Sequence, residues 1–347
     1  MRKFRIFILL ITLMCLSGIS YGQSRFSIYT KGYARFTKPK RYWSVGGGVN
    51  ASHYLGDVAP SANLGSMDWR KTKPSLSLFA MKRLLPRFSV RFMFTQALIE
   101  GDDANANIGV DVTETNTQGG AIAGFDNFFN PENAGRFVRN LHFRNNITEL
   151  NTMIVYDFIK NDGLYYRRRR FPIPYISAGI GVFYHSPMAR DVDNPDKWVH
   201  LRSKQTEGVS YLPVALAMPL GVGVRWRITN KLDIAAEATV RYTTTDYLDD
   251  VSSEFYASAE DMNSTDAYRY AYRAHENYGK LGDDLQYLEY LTRAYEGGAP
   301  NPTDYNEFTE IGEIRGDPTQ KDVYVNIGIH VNYIFRGNLK TPRYRYR

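Results

Sequence analysis

The chain has 347 residues, a formal net charge of +7 and one cysteine, Cys15. Beyond the N-terminal segment no stretch approaches the roughly 18 continuous apolar residues of a transmembrane helix, which excludes one there. Cys15 lies in a segment that we expect to be removed, so the mature chain can hold neither a disulfide nor a thiolate metal site.

The N-terminal segment is typical of a secretory signal peptide. A basic start precedes an apolar run over residues 6–16, and Ser20-Tyr21-Gly22 forms a small-x-small cleavage site. The alternative, a transmembrane anchor, needs a longer apolar run. We therefore expect a signal peptide over residues 1–22, cleavage before Gln23, and a periplasmic N-terminal segment over residues 23–41.

The clearest strand pattern lies in the second half of the chain. Apolar residues alternate with small and charged residues over residues 214–228, and the pattern repeats over residues 232–245 after a short link. A period of two is typical of β-strands, and each run exceeds the roughly 9–11 residues that a tilted strand needs to cross a bilayer. A soluble sandwich shares the alternation, but these lengths favour a membrane-spanning hairpin.

The same pattern predicts eight strands in all. They cover residues 42–54, 75–83, 88–99, 141–159, 174–185, 214–228, 232–245 and 323–335. The predicted fold is all-β: a single antiparallel eight-stranded outer-membrane β-barrel over residues 42–335. Short and long connections alternate, and such barrels place their short turns in the periplasm and their long loops outside. Both chain termini are then periplasmic, including a tail over residues 336–347.

The alternation also predicts charged side chains inside the barrel. They are Arg91, Glu149, Asp157, Arg225, Asp233, Glu237 and Arg241. Both signs occur at similar depths, so we expect an ionic network across the lumen, with Arg91, Glu149, Arg225, Glu237 and Arg241 as its main members. An eight-stranded barrel is just wide enough for side chains to fill it, which argues against a passive diffusion pore.

Aromatic residues collect near the predicted strand ends, as they do in the girdles of membrane barrels. We place Trp43, Tyr156, Phe158, Tyr175, Trp226, Tyr333 and Phe335 near the periplasmic end, and Tyr54, Tyr184, Tyr242 and Tyr324 near the other end. Aromatic residues suit strands in general, which explains single cases but not the clustering.

The last loop, over residues 246–321, is long and acidic. It contains 17 Asp and Glu against 6 Lys and Arg, a net charge of −11. Its spacing predicts helices over residues 265–278 and 283–295, each followed by glycine. The acidity is either that of a solvated surface or that of a binding surface for exported protein.

The periplasmic side is basic. The residues concerned are Arg167, Arg168, Arg169 and Arg170 in the middle turn, and Arg343, Arg345 and Arg347 in the tail. They either meet the phosphates of outer-membrane lipid or dock an acidic periplasmic protein. Nucleic acid is implausible as a partner of an exported barrel.

No motif points to catalysis. The six histidines lack the spacing of metal ligands, and no nucleophile elbow is present, so we expect no enzyme, no cofactor and no metal site. One Ser/His pair, Ser186 beside His185, lies where a lipid-modifying barrel enzyme would carry its nucleophile. A rim histidine beside a serine is more often a polar loop boundary.

Several short motifs together resemble a known family. They are Tyr54-Leu55-Gly56-Asp57, Gly101-Asp102-Asp103, Trp198-Val199-His200-Leu201, Thr206-Glu207-Gly208, Pro219-Leu220-Gly221-Val222-Gly223, the run from Thr245 to Ser252, and Arg315-Gly316-Asp317-Pro318. In these the chain resembles the PorG-like outer-membrane barrels of bacteria that use type IX secretion. The resemblance covers nearly the whole mature chain except residues 258–306, which look inserted.

The resemblance implies an eight-stranded barrel that contacts periplasmic ring proteins of a secretion and gliding machinery. Our leading hypothesis is therefore a non-enzymatic anchoring component of such an assembly. The alternatives are a small-solute channel, a surface-ligand binder and, third, a lipid-modifying barrel enzyme. The sequence leaves the partner and the oligomeric state open.

Overall fold

The computed structural model describes residues 41–58, 71–103, 139–160, 172–229, 231–253, 265–273, 276, 315–316, 319 and 321–335. The predicted signal peptide, the basic residues 167–170, the basic tail and the second predicted helix lie outside the described residues. None of the helices in the described part of the chain is long and apolar enough to cross a membrane.

Ten strands and one short α-helix make up the described structure. They are β1 (Trp43–Leu55), β2 (Lys73–Arg83), β3 (Phe88–Asp102), β4 (His142–Asp157), β5 (Ile173–Tyr184), β6 (Pro187–Arg190), β7 (Trp198–His200), β8 (Val214–Arg227), β9 (Leu232–Thr243), α1 (Thr265–Ala271) and β10 (Val323–Ile334). Each of the eight predicted strands is present, with bounds within three residues of the prediction. The two short strands β6 and β7 were not predicted.

Eight of the strands close into a ring. The order of pairing is β3-β2-β1-β10-β9-β8-β5-β4, and β3 also pairs with β4, which joins the two ends. Every pair is antiparallel. A closed ring leaves no unpaired sheet edge, the condition that lipid imposes on β-structure. The predicted fold, an all-β antiparallel eight-stranded barrel, is confirmed.

Large apolar side chains cover the outer face of the wall. On β8, Leu220 and Val222 are about half exposed, and Leu78 on β2 and Ile180 on β5 are similarly exposed. These positions alternate with inward residues because successive strand residues point to opposite faces. An apolar outer face on a closed barrel is suited to hydrocarbon rather than water.

The two ends of the barrel differ. The short-turn end carries the links 84–87 and 228–231, and the long-loop end carries the connections 56–72, 103–141, 185–213 and 244–322. At the long-loop end, β6 pairs with β4 through Arg144↔Met188, and β7 pairs with β6, so a hairpin extends the wall beyond β5.

The aromatic prediction was wrong for three residues. Tyr54, Tyr175 and Tyr324 are buried in the interior. Tyr175 lies opposite Gly223, where an added Cβ atom would come within 2.5 Å of its Cζ, so the glycine makes room for the ring. Trp43, Trp226, Phe335 and other predicted girdle residues do face outward.

The helix in the last loop is shorter than predicted. It begins at Thr265 as expected but ends at Ala271 rather than at Tyr278. Just beyond this end, the Asn140 side-chain amide donates to the carbonyl oxygen of Arg273 at 3.1 Å, and the Arg273 guanidinium donates to the carbonyl oxygen of Arg190 at 2.6 Å. These contacts tie the segment that follows α1 to the barrel rim.

Candidate functional site

The middle of the lumen contains a buried ion pair between β3 and β9. Both Nη atoms of Arg91 donate to the Glu237 carboxylate at 2.6 Å, and the Tyr175 hydroxyl donates to the same carboxylate at 2.6 Å. His330 lies 3.7 Å from Glu237 through Nδ1 and contacts Asn50 through Nε2. A paired fork of this kind is a strong charge-assisted contact and satisfies a carboxylate that burial would otherwise disfavour.

A second level lies towards the long-loop end, four residues along β9. Arg241 Nε donates to Glu149 at 2.8 Å, and the Tyr324 hydroxyl donates to the same carboxylate oxygen at 2.6 Å. Asn151 donates to the other oxygen of Glu149 at 2.5 Å. Four strand residues span about 13 Å, so this level is separate from the Arg91–Glu237 pair.

A third level lies at the short-turn end, four residues from Glu237 in the other direction. Arg225 donates to Asp157 at 2.8 Å, and Arg227 donates to both oxygens of Asp233, the nearer at 2.8 Å. Arg83 lies 3.9 Å from Asp157. The structure thus places all five main members of the predicted lumen network inside the barrel, paired as Arg91–Glu237, Arg241–Glu149 and Arg225–Asp157.

Two small cavities lie between these levels, among the described residues. One, of about 20 Å³, lies between Arg91 and Arg225 and is lined also by Tyr175, His330 and Asn332. The other, of about 10 Å³, lies among the residues of the third level. By this measure about 10–15 Å³ holds one water molecule, so each of these two cavities has room for about one water.

The long-loop end is closed by a set of loop residues that we call the cap: 54–58, 102–103, 139–141, 206–211, 246–253, 315–316 and 321–322. At its centre the Tyr54 hydroxyl lies 2.6 Å from Asp249 and 2.5 Å from Asp322. The backbone N–H groups of Val58 and Leu248 donate to the same two carboxyl groups. One phenol proton cannot serve two carboxylates, so one of the two carboxyl groups must carry a proton.

The burial of Asp249 and Asp322 supports the presence of a bound proton on this pair. Burial, and next the charge of Asp57, raise the pKa of Asp249 to about 8. Burial and then the charge of Asp249 raise the pKa of Asp322 well above its usual value. Two nearby buried carboxyl groups disfavour each other's ionisation, so the pair keeps at least one proton near neutral pH.

A second cluster in the cap surrounds Asp250. Its carboxylate accepts from Thr206 and from Tyr211, each at 2.5 Å, and burial raises its pKa to about 6. Arg315 donates to Thr206 at 3.1 Å and lies 3.3 Å from Glu207. Asp250 has a φ of 71°, which few residues other than glycine adopt, so these contacts hold a strained backbone position.

Within the cap, Arg139 connects the β3–β4 loop to the loops that contain Asp57 and Arg315. It donates to both oxygens of Asp103, at 2.7 and 3.0 Å, and to the backbone carbonyl oxygens of Asp57 and Arg315. One guanidinium therefore fastens three loops that are far apart in sequence.

The Ser/His prediction does not describe the observed contact. His185 is fully buried, and burial lowers its pKa to about 4. Its ring stacks on Tyr211 at 6.0 Å between centroids. Ser186 instead lies 2.9 Å from Nδ1 of the exposed His200, at the open end of the β6–β7 hairpin. Among the described residues, no group of three or more His, Cys, Asp or Glu side chains is placed to hold a metal ion.

The cap is the part of the site that was not predicted from the sequence. The residues at its centre come from the motifs that carried the family resemblance: Tyr54, Asp57, Asp103, Thr206, Glu207, Asp249, Asp250 and Arg315. The signal was present, because clusters of acidic residues directly after predicted strands recur in these motifs. The predicted docking arginines of the periplasmic side, Arg167 to Arg170 and those of the tail, lie outside the described residues.

The ring of strands, the apolar outer wall and the filled lumen define the class: a closed eight-stranded barrel of the outer-membrane type. A family described as a domain of unknown function (DUF6089) matches residues 117–274. A comparison with curated proteins found no relative of matching sequence.

Solved structures with a similar arrangement are outer-membrane and surface proteins. Neisserial surface protein A (NspA) has a TM-score of 0.35 and 8% identity, covering 84% of this chain and 97% of that one. A major outer membrane protein from Thermus thermophilus has a TM-score of 0.33 and 12% identity, covering 85% and 99%. OprG from Pseudomonas aeruginosa has a TM-score of 0.33 and 8% identity, covering 85% and 96%. These likenesses concern the fold, and the secretion role stays a prediction.

Proposed function

We propose that this protein is a non-enzymatic barrel of the outer membrane that anchors a periplasmic assembly, as in PorG-like type IX secretion. The proposal rests on the side chains that occupy the interior of the barrel. Three levels of paired charges occupy the lumen, and the cap binds the loops of the long-loop end to one another. A barrel filled in this way offers its ends and its wall, rather than a pore, for function.

The end that faces the periplasm is the short-turn end, by analogy with other outer-membrane barrels. The connection from β4 to β5 begins and ends there, and it contains Arg167, Arg168, Arg169 and Arg170. Arg343, Arg345 and Arg347 follow β10, which also ends there. We therefore expect these seven arginines on the periplasmic side, where they would suit an acidic protein partner, because opposite charge steers encounter and sets orientation.

The test is a pull-down of the full-length barrel from native membranes. Charge reversal of Arg167–Arg170 to Glu should remove a periplasmic partner that the wild-type barrel retains. Replacement of the same four residues by Lys is the matched control, since it preserves the charge, and it should retain the partner. If the Glu variant still retains every periplasmic partner, the docking role is refuted.

A second candidate, a lipid-modifying enzyme, is favoured by one contact only. Ser186 Oγ lies 2.9 Å from His200 Nδ1, the spacing of a nucleophile and a general base. The described residues add no carboxylate partner to His200, and the backbone N–H of Ser186 already donates to Asn145. Under the anchor proposal, Ser186→Ala leaves the lipid composition of the membrane unchanged, and an altered acylation pattern would support the enzyme instead.

A further inference from the structure

The hairpin formed by β6 and β7 carries an aromatic ring between two guanidinium groups. The Cζ atom of Arg144 lies 4.2 Å from the centroid of the Trp198 ring, and that of Arg190 lies 5.8 Å from it. His142 packs edge-on against the same ring at 6.4 Å, and its Nε2 accepts from the backbone N–H of Arg190 at 3.1 Å. We call Arg144, Arg190 and Trp198 the rim patch.

The rim patch lies on the outer face of the wall, above the apolar surface. Along β4 the outward residues Ile154, Thr152 and Leu150 are exposed, and Thr148 comes next and donates to Gln96 on β3. We take this polar pair as the upper edge of the apolar wall. Arg144 lies four residues nearer the long-loop end, about 13 Å along the strand, or about 10 Å along the membrane normal for a strand tilted by about 40°.

That height decides which headgroup suits the patch. The polar layer on each side of a bilayer is about 5–8 Å thick, the difference between the full and the hydrocarbon thickness. At about 10 Å Arg144 lies at the outer limit of a glycerophospholipid headgroup, and the Arg190↔Trp198 pair, two residues beyond the Met188 that faces Arg144, lies further out. A phosphorylated sugar headgroup extends further from the hydrocarbon and would present its phosphates at this level.

Three cationic side chains pair with two carboxylates beside the patch. Glu100 lies 3.0 Å from Lys73, 3.3 Å from Arg144 and 3.7 Å from Lys71, and Asp102 lies 2.7 Å from Lys71. Within the part of the chain that the structure describes, no carboxylate pairs with the exposed guanidinium of Arg190. The patch and its surroundings therefore hold cationic capacity that the neighbouring acids leave uncompensated.

We propose that Arg144, Arg190 and Trp198 bind a phosphate group of a phosphorylated glycolipid in the outer leaflet. Guanidinium groups bind phosphate through parallel N–H donors, and the indole ring holds both cations in place by cation–π contact. Because the side chains are already ordered, less conformational entropy is lost on binding. The proposal relies on the outward orientation of the long-loop end but not on the secretion partner.

The experiment measures binding of the purified full-length barrel to diphosphoryl lipid A in mixed detergent micelles. The comparison probes are dephosphorylated lipid A, phosphatidylglycerol and inorganic phosphate. We expect diphosphoryl lipid A to bind and Arg190→Gln to weaken it about tenfold or more, as loss of a charged hydrogen bond of about 1.5–3 kcal/mol implies. Lys197→Gln, a neighbouring exposed cation outside the patch, is the matched control and should leave binding unchanged.

Three results would overturn the proposal. They are equal binding of the dephosphorylated lipid, equal weakening by Lys197→Gln, and binding of phosphatidylglycerol or inorganic phosphate as tightly as diphosphoryl lipid A. Arg190→Lys should bind weakly, because a single ammonium cannot reproduce the guanidinium fork. Folding of each variant is checked by the heat-dependent shift of the barrel on gels. Since the pull-down of the periplasmic partner uses other residues, failure of either proposal leaves the other standing.

Discussion

The sharpest test of the filled lumen is removal of one partner of its central ion pair. In Arg91→Met the aliphatic part of the side chain is preserved, and the two contacts of 2.6 Å to Glu237 are lost. Glu237 then keeps the hydroxyl of Tyr175 at 2.6 Å, the hydroxyl of Thr239 at 3.1 Å and His330 at 3.7 Å. A carboxylate with an exposed side-chain fraction of 1% is left without a full counter-charge.

The magnitude follows from that burial. Breaking a buried pair by removing one partner costs about 3–5 kcal/mol, because an uncompensated charge remains in a medium of low polarity. Replacing both partners by apolar residues of similar volume is far less costly and is often close to neutral. We therefore expect Arg91→Met to cost about 3–5 kcal/mol, and the double variant Arg91→Met with Glu237→Met to cost less than Arg91→Met alone.

The assay is urea unfolding of the barrel in lipid vesicles, followed by tryptophan fluorescence. Arg87→Gln is the control, because Arg87 makes an exposed contact with Tyr156 and should change the free energy of unfolding by no more than about 0.5 kcal/mol. A cost below about 1 kcal/mol for Arg91→Met would contradict this expectation. So would a double variant whose cost equals the sum of the costs of Arg91→Met and Glu237→Met measured singly. Additive costs would mean that the residues do not act as a pair.

Three further outcomes can be checked with the same preparation. Val222→Arg should cost about 2–4 kcal/mol in urea unfolding, since Val222 faces the apolar surroundings at mid-strand, and a cost below about 0.5 kcal/mol would contradict that placement. Gly223→Ala should cost about 1–3 kcal/mol, because the added methyl would lie 2.5 Å from Tyr175 Cζ and the ring must move; an unchanged midpoint would contradict the observed packing. The folded pKa of Asp249, about 8, lies above its ordinary value of about 3.9, so the contribution of Asp249 to the stability of the cap is largest at low pH and is lost as the pH rises from about 4 to about 8. Limited proteolysis of the long loops should show a loss over this range that Asp249→Asn removes; a wild type and an Asp249→Asn variant with the same pH dependence would refute the raised pKa of Asp249.

The strands were predictable because a membrane barrel imposes a simple rule on each of them. Every wall residue faces either lipid or lumen. The apolar side chain of Val222 therefore predicts a lipid-facing position, and the carboxylate of Glu237 predicts a lumen-facing one. The prediction was weaker where a residue type suits both faces. Tyr175 and Tyr324 each have a ring that fits the girdle and a hydroxyl that fits a buried carboxylate, and only the opposite strand decides between the two.

The cap could not be predicted in the same way. Tyr54 and Asp249 are 195 positions apart, and Arg139 and Arg315 are 176 apart. Loops have no period that would specify which of them meet, so no local pattern could bring these residues together. The recurrence of acidic residues after the strands was visible, but their partners depend on how four connections fold over the same opening.

The lumen and the cap form one continuous polar structure. Strand β9 contributes Asp233, Glu237 and Arg241 to the three levels, and the same chain continues directly into Asp249 and Asp250 of the cap. A conducting barrel would have to interrupt this succession at some level, and each interruption would leave a buried charge without its partner. The paired charges of the interior therefore stabilise the barrel. Both proposals place recognition at the surfaces of the ends and the rim, and variants that alter those surfaces without touching the interior can separate function from folding.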